Sequence, residues 1–274
     1  MSEHIRGYLR DQALPHIWCA GCGHGTVLGC LLRAIQKAGL DQDKTVIVSG
    51  IGCSSRATGY MNFDTLHTTH GRALAFATGI KLARPELKVI VITGDGDAAA
   101  IGGNHLIHAA RRNVGITTVC FNNYIYGMTS GQYSPSTPTG SLATTSPYGS
   151  IDIPFDLSRL VQAAGGAYVA RATTYHVNLL INLIAEALRV DGFSFVEALS
   201  QCPTYFGRRN RRGTAVDMLT WFRDNSVNVK AVSKLPPEQL EGKIIVGELY
   251  RANLKEYTQA YRELVERAKG GVKR

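Results

Sequence analysis

Residues 88–123 read KVIVITGDGDAAAIGGNHLIHAARRNVGITTVCFNN. Two short runs rich in β-branched residues, 88–94 and 116–123, flank a helix-like stretch at 104–112. Neither run alternates apolar with polar, which is the pattern of a strand buried on both faces of a parallel sheet. A third such run, TVIVSG, occupies 45–50, and HGRALAFATGIKLA predicts a helix over 70–83. Further along, the pattern predicts a helix at 155–165, a strand at 167–172, a helix at 175–190 and a strand at 193–200. This alternation predicts an α/β fold, a doubly wound and mostly parallel sheet whose ligands bind at the carboxyl ends of the strands. The segments GIGCSS, GDG and CFNN all fall at such ends. Residues 1–202 are expected to form this domain, and 203–274 a C-terminal extension containing a charged helix within 251–271. The Ser-, Thr-, Pro- and Gly-rich stretch 128–150 is expected to be a long loop with a role in function, because it follows directly from a candidate site.

Composition narrows the function classes. The chain has 274 residues, 45% of them hydrophobic, and 29 glycines, as suits a globular α/β protein with many tight turns. No apolar run approaches the roughly 18–20 residues of a membrane span, and the first residues lack the pattern of a secretory signal, so a cytoplasmic protein with no membrane partner is expected. The net charge of +9 favours an anionic cofactor or an acidic partner. No nucleic-acid-binding signature accompanies it, so no nucleic-acid partner is expected.

Chemistry enters with the glycine turn. Gly94 and Gly96 let the backbone approach a ligand closely, and Asp95 between them offers a hard oxygen. An asparagine at the end of the next strand supplies another oxygen, and the helix after Gly96 favours an anion. Such oxygen ligands suit Mg²⁺ bound to a diphosphate. The spacer between GDG and NN is one strand-to-strand crossover long, which places the two positions on adjacent parallel strands. GDG followed at this distance by NN resembles the signature of thiamine diphosphate enzymes, with Asp95 and Asn123 sharing Mg²⁺. Asn122 is left to secure the turn.

Four of the six cysteines, Cys19, Cys22, Cys53 and Cys202, lie among small residues in WCAGCGHG, GIGCSS and SQCPTYFG. Their scattered spacing differs from the two close pairs of a zinc ribbon, although zinc and an iron–sulfur cluster both remain open from spacing alone. Cys53 follows a strand whose tip should face the cofactor, so the metal would lie beside it. Cys30 and Cys120 sit among apolar residues and read as core.

Together, WCAGCGHG, GIGCSSR, TTHGRALAFATGIK, GDGDAAAIGG, NN-x-x-YGMT-x-G and CP resemble the β subunit of a 2-oxoacid:ferredoxin oxidoreductase, over nearly all of residues 10–230. IGGNHLIHAARRN and YGMTSGQYSPSTP are most similar to the 2-oxoglutarate (2-ketoglutarate) type. The resemblance implies a thiamine diphosphate-binding (PP) module and reversible, coenzyme A-dependent oxidative decarboxylation of 2-oxoglutarate to succinyl-CoA and CO₂. Electrons would leave through a [4Fe-4S] cluster held by Cys19, Cys22, Cys53 and Cys202 to ferredoxin. It further implies Mg²⁺ on Asp95, Asn123 and the Ile125 carbonyl. Cofactor contacts would come from Ile51, Gly52, Cys53, Ser54, His70, Gly94, Gly96, Asp97, Gly127 and Met128. Arg56 is a candidate for the substrate carboxylate, since a dicarboxylic 2-oxoacid needs a cation. The pyrimidine-binding module and the activating glutamate would lie on an α subunit, in an (αβ)₂ or larger hetero-oligomer. The alternatives are the same chemistry on pyruvate or on 2-oxoacids broadly, a non-redox thiamine diphosphate decarboxylase subunit, and a zinc-stabilised interaction subunit. Arg208, Arg209, Arg211 and Arg212 read as a solvated face or a contact with the α subunit before a ferredoxin dock, and His105 and His108 as packing residues.

Overall fold

A computed structural model describes residues 3–270. The strands are β1 (Thr45–Ser49), β2 (Asp64–His67), β3 (Lys88–Gly94), β4 (Ile116–Asn122), β5 (Ile125–Tyr126), β6 (Gln132–Tyr133), β7 (Tyr168–Thr173), β8 (Ser194–Leu199), β9 (Ser226–Asn228) and β10 (Ile244–Arg251). Eight of them form one sheet in the order β2-β1-β3-β4-β8-β7-β10-β9, and β5 with β6 forms a separate ribbon. Every pairing from β2 to β7 is parallel, β10 joins β7 antiparallel, and β9 lies parallel to β10. The carboxyl ends of β1, β3, β4 and β8 therefore share one edge, and the segments after them meet there.

The fully apolar strands reflect helices on both faces. Ile90 and Ile92 of β3 pack into one core with Val119 and Phe121, against the helices His24–Ala38 and Val177–Arg189. Val89 and Val91 point the other way, into a core shared with the helices Ala73–Ala83, Gly103–Arg111 and Leu157–Ala163. Burying each of these side chains contributes about 1.5–3 kcal/mol. This is the doubly wound arrangement the periodicity predicts.

Two expectations shift. The extension after residue 202 does not stand apart from the domain. Its run IIVGELYR enters the main sheet as β10, and the short β9 follows at the sheet edge. An apolar strand edge at β7 is thereby covered, which removes unpaired backbone groups. The helix expected from residue 70 starts at Ala73, because His70 and Gly71 form a turn with Gly71 at φ +70°. The charged C-terminal helix is present at Tyr257–Lys269. No helix among the described residues is long and apolar enough to cross a membrane.

Candidate functional site

At the shared strand edge lies a cavity of about 450 Å³. Every residue assigned from sequence to the cofactor or to Mg²⁺ lines it: Ile51, Gly52, Cys53, Ser54, His70, Gly94, Asp95, Gly96, Asp97, Asn123, Ile125, Gly127 and Met128. Between β3 and the helix Gly103–Arg111 the chain coils through a π-helical turn, Asp97–Ile101.

Asp97 ties three turns together instead of capping a helix. Its carboxylate accepts from the Gly71 N–H (2.6 Å), the Ile51 N–H (3.4 Å) and Thr93 Oγ1 (2.9 Å). His70 Nδ1 lies 2.6 Å from the same carboxylate, without hydrogen-bond alignment. A Cβ on Gly50 would stand 1.9 Å from Asp97 Oδ2, so glycine there lets the β1 turn close on the carboxylate. Gly96 packs under Tyr126, whose hydroxyl donates to the Gly96 carbonyl at 3.0 Å.

Asp95 is buried and forms an oxygen-rich corner. Its Oδ2 accepts from Ser134 Oγ (2.5 Å) and Ser136 Oγ (2.6 Å), both on the long loop. Burial raises its pKa, against these donors. The carboxamide oxygen of Asn123 faces the Ile125 carbonyl at 2.7 Å and Asp95 Oδ1 at 3.3 Å. The Asn123 oxygen accepts the Ile125 N–H at 3.4 Å and otherwise meets these two further acceptor oxygens, an arrangement that a cation would satisfy. Their spacing is that of adjacent ligands on an octahedral cation at about 2.1 Å, which stand about 3.0 Å apart. The opposite amide orientation would place the Asn123 nitrogen against the same two oxygens. Asn122 secures the turn, accepting the Tyr124 N–H at 3.0 Å while Tyr124 sits at φ +64°.

Cys19, Cys22, Cys53 and Cys202 line a second cavity, of about 210 Å³. It shares Cys53, Asn123, Gly127 and Met128 with the first, so one wall separates the two. All four thiols are free. Burial, reinforced by neighbouring thiols, pushes Cys22 up to about 12 and Cys53 to about 11, and burial also raises Cys202. Backbone N–H groups offset part of this: those of Thr204, Tyr205 and Phe206 reach Cys202, that of His24 reaches Cys22, and that of Met128 reaches Cys53. Among the described residues, no three His, Cys, Asp or Glu side chains are close enough to hold a single metal ion. What the four thiols surround is a cavity lined with sulfur and amide donors, a setting that suits an inorganic cluster. Cys30 and Cys120 are buried in the two cores.

Arg56 lines the cysteine cavity and is absent from the lining of the larger one. Arg211 and Arg212 line a third cavity, with Arg212 stacked over Trp221 at 5.5 Å. The sequence reading passed over several residues. His24 lines the larger cavity, is held at 3.1 Å from Ser200 Oγ, and is driven by burial down to about 4. Trp18 donates to the Cys53 carbonyl at 2.7 Å. His24 was visible inside WCAGCGHG and Tyr126 inside NN-x-x-YGMT-x-G, but Ser134 and Ser136 carry no spacing signal.

Residues 50–198 match the family model for the thiamine pyrophosphate enzyme, C-terminal TPP binding domain. The chain is 55% identical to the 2-oxoglutarate synthase subunit KorB of Methanothermobacter marburgensis, over 97% of this chain and 93% of that one. It is 50% identical to the KorB subunit of Methanocaldococcus jannaschii, over 96% and 97% respectively. Among solved structures it resembles the 2-oxoglutarate:ferredoxin oxidoreductase from Magnetococcus marinus with 2-oxoglutarate, coenzyme A and succinyl-CoA bound. That likeness has a TM-score of 0.87 and 35% identity, covering 100% of this chain and 93% of that one. The chain belongs to the thiamine pyrophosphate enzymes and, within them, to the family of KorB subunits of 2-oxoglutarate synthases.

Proposed function

We propose that this chain is the β subunit of a 2-oxoglutarate:ferredoxin oxidoreductase. In that reaction 2-oxoglutarate and coenzyme A give succinyl-CoA, CO₂ and a proton, and two electrons pass singly to two ferredoxins. Thiamine diphosphate, when bound, supplies the nucleophilic carbon that cleaves the bond between the 2-oxo carbon and its carboxylate. The chain's own residues bind, orient and conduct. Asp95, Asn123 and the Ile125 carbonyl would hold Mg²⁺ against the diphosphate, with Gly94 and Gly96 giving the backbone clearance. His70 and Ser54 would donate to the phosphates, and Asp97 fixes the turn that carries His70. Ile51, Gly52, Gly127 and Met128 would wall the ring system away from water.

Cys19, Cys22, Cys53 and Cys202 would hold the [4Fe-4S] cluster in the adjoining cavity. Arg56 lines the cluster's cavity and not the cofactor's, so it would meet the distal carboxylate of the substrate only past the shared wall. A partner α subunit would supply the pyrimidine half of the site and the activating glutamate, in a cytoplasmic hetero-oligomer. The observation that carries this reading is the shared wall: Cys53, Asn123, Gly127 and Met128 face both cavities, so a cofactor in one and a cluster in the other would stand one residue layer apart.

The test is anaerobic purification of the chain with its α subunit, followed by iron, sulfide and zinc analysis. About four irons and four sulfides per chain are expected. One zinc and no sulfide would overturn the redox reading in favour of a zinc-stabilised subunit.

A further inference from the structure

Behind the Asp95 corner runs a buried polar chain. Glu197, on β8, is 4% exposed in its side chain and pairs through Oε2 with Arg171 Nε at 2.8 Å. Arg171, on β7, is 12% exposed and reaches Asp156 at the surface. Oε2 also accepts from Ser158 Oγ at 2.7 Å. The other oxygen, Oε1, accepts from Asn122 Nδ2 at 2.8 Å. Asn122 Oδ1 in turn accepts the Tyr124 N–H and lies 3.0 Å from Ser136 Oγ, whose single hydrogen goes to Asp95 Oδ2 at 2.6 Å. Because Glu197 has only acceptors to offer, Asn122 must present its nitrogen to it and its oxygen to the turn.

That fixed orientation matters because two of the three oxygens of the corner, those of Asn123 and Ile125, sit on the turn that Asn122 holds. Its oxygen holds the turn that presents Asn123 and the Ile125 carbonyl, and it lies 3.0 Å from the Ser136 hydroxyl that donates to Asp95. A charge buried between strands is costly unless fully paired, and here Arg171, Ser158 and Asn122 satisfy both carboxylate oxygens. We infer that the Glu197–Arg171 pair is a positioning device for the divalent-cation corner, acting through the amide orientation of Asn122. The inference rests on the Mg²⁺ reading of Asp95, Asn123 and Ile125.

Glu197→Gln tests it. The single oxygen of glutamine must stay with Arg171, which can only donate, and its –NH₂ then meets the –NH₂ of Asn122. The Asn122 amide must turn over or withdraw, and the Tyr124 N–H loses its acceptor. Partners of this kind alter metal affinity by about 10–100-fold. The measurement is Mn²⁺ binding to the assembled enzyme with thiamine diphosphate, read from the free-ion EPR signal, beside the melting temperature and the KM for 2-oxoglutarate. The expected result is Mn²⁺ affinity weakened at least about tenfold, with KM for 2-oxoglutarate unchanged once metal is saturating.

Ser158→Ala removes a bond to the same carboxylate but leaves Asn122 alone, and should keep wild-type Mn²⁺ affinity. Glu197→Asp keeps the charge beside Arg171 while withdrawing oxygen from Asn122, and decides the matter should the glutamine variant not fold. Wild-type Mn²⁺ affinity in either folded Glu197 variant overturns the inference. So does an equal loss in Ser158→Ala, which would mark a general packing effect. If the wild-type enzyme binds no Mn²⁺ with thiamine diphosphate, the Mg²⁺ reading itself fails and takes this inference with it.

Discussion

Gly96→Ala tests the close packing at the glycine turn. A Cβ at Gly96 would stand 2.2 Å from Cζ, 2.3 Å from Cε1 and 2.7 Å from Oη of Tyr126. Carbon atoms in contact need about 3.5 Å, so the ring must move by more than about 1 Å. Overpacking of this kind costs about 1–3 kcal/mol. The displaced hydroxyl also gives up its 3.0 Å bond to the Gly96 carbonyl, worth about 1 kcal/mol. The sum is about 2–4 kcal/mol, and thiamine diphosphate binding should weaken as well, since Gly96 and Tyr126 both line the cavity. The assay is a double-mutant cycle with Tyr126→Ala, read by denaturant unfolding and by cofactor binding. Removing the ring removes the obstacle, so the alanine at 96 should cost under about 1 kcal/mol in the Tyr126→Ala background. An undiminished cost there would refute the clash, since Gly96 at φ −69° and ψ −34° sits where alanine is unstrained.

Other outcomes follow from the same geometry. Burial, with Lys81 nearby, brings Lys88 down from 10.5 to about 8. Below pH 8 both folded and unfolded states carry the proton and the fold bears the burial cost. Between pH 8 and 10.5 the folded state sheds its proton first, so stability should rise with pH by up to about 3 kcal/mol. Lys88→Met should flatten that rise in urea titrations, and an unchanged slope would count against it. Arg56→Ala should raise the KM for 2-oxoglutarate by about 10–100-fold while leaving pyruvate turnover unaltered, as for one lost charged hydrogen bond. Equal losses on both substrates in steady-state assays would remove Arg56 from the carboxylate. Trp18→Phe leaves the Cys53 carbonyl without its 2.7 Å donor and should cost about 1–3 kcal/mol in thermal or denaturant unfolding. An unchanged midpoint would show that water replaces the indole.

The strands that position the site were legible because both their faces are buried. β1, β3 and β4 read as runs without a charge beyond Lys88, and β7 and β8 as apolar runs each holding one charge, Arg171 and Glu197. The observed limits of all five fall within a residue or two of the expected ones. β2 and β9 were not legible: Asp64–His67 and Ser226–Asn228 are short, partly exposed edge strands with no such run. β10 carries Gly247, Glu248 and Arg251 within an otherwise apolar run and is only partly buried, so its sequence lacks the signature of a central strand. At the site, Asp95 and Asn123 were legible because GDG followed by NN at this distance resembles the signature of thiamine diphosphate enzymes. Glu197, Ser134 and Ser136 were not, because contacts made across the fold leave no spacing to read. The loop 128–150 was expected to be functional from its place directly after the candidate site, and two of its serines reach the Asp95 carboxylate. His70 kept its place in the cavity although the helix expected to begin there starts at Ala73.

The most direct test of the account is the visible cluster absorption of the anaerobic αβ enzyme, loaded with thiamine diphosphate and Mg²⁺, followed on adding 2-oxoglutarate and coenzyme A. The account requires bleaching that depends on both substrates, is reversed by oxidised ferredoxin, and is lost in Cys53→Ser. CO₂ release with no change in the visible spectrum would contradict it, and would make this a decarboxylase subunit that passes no electrons.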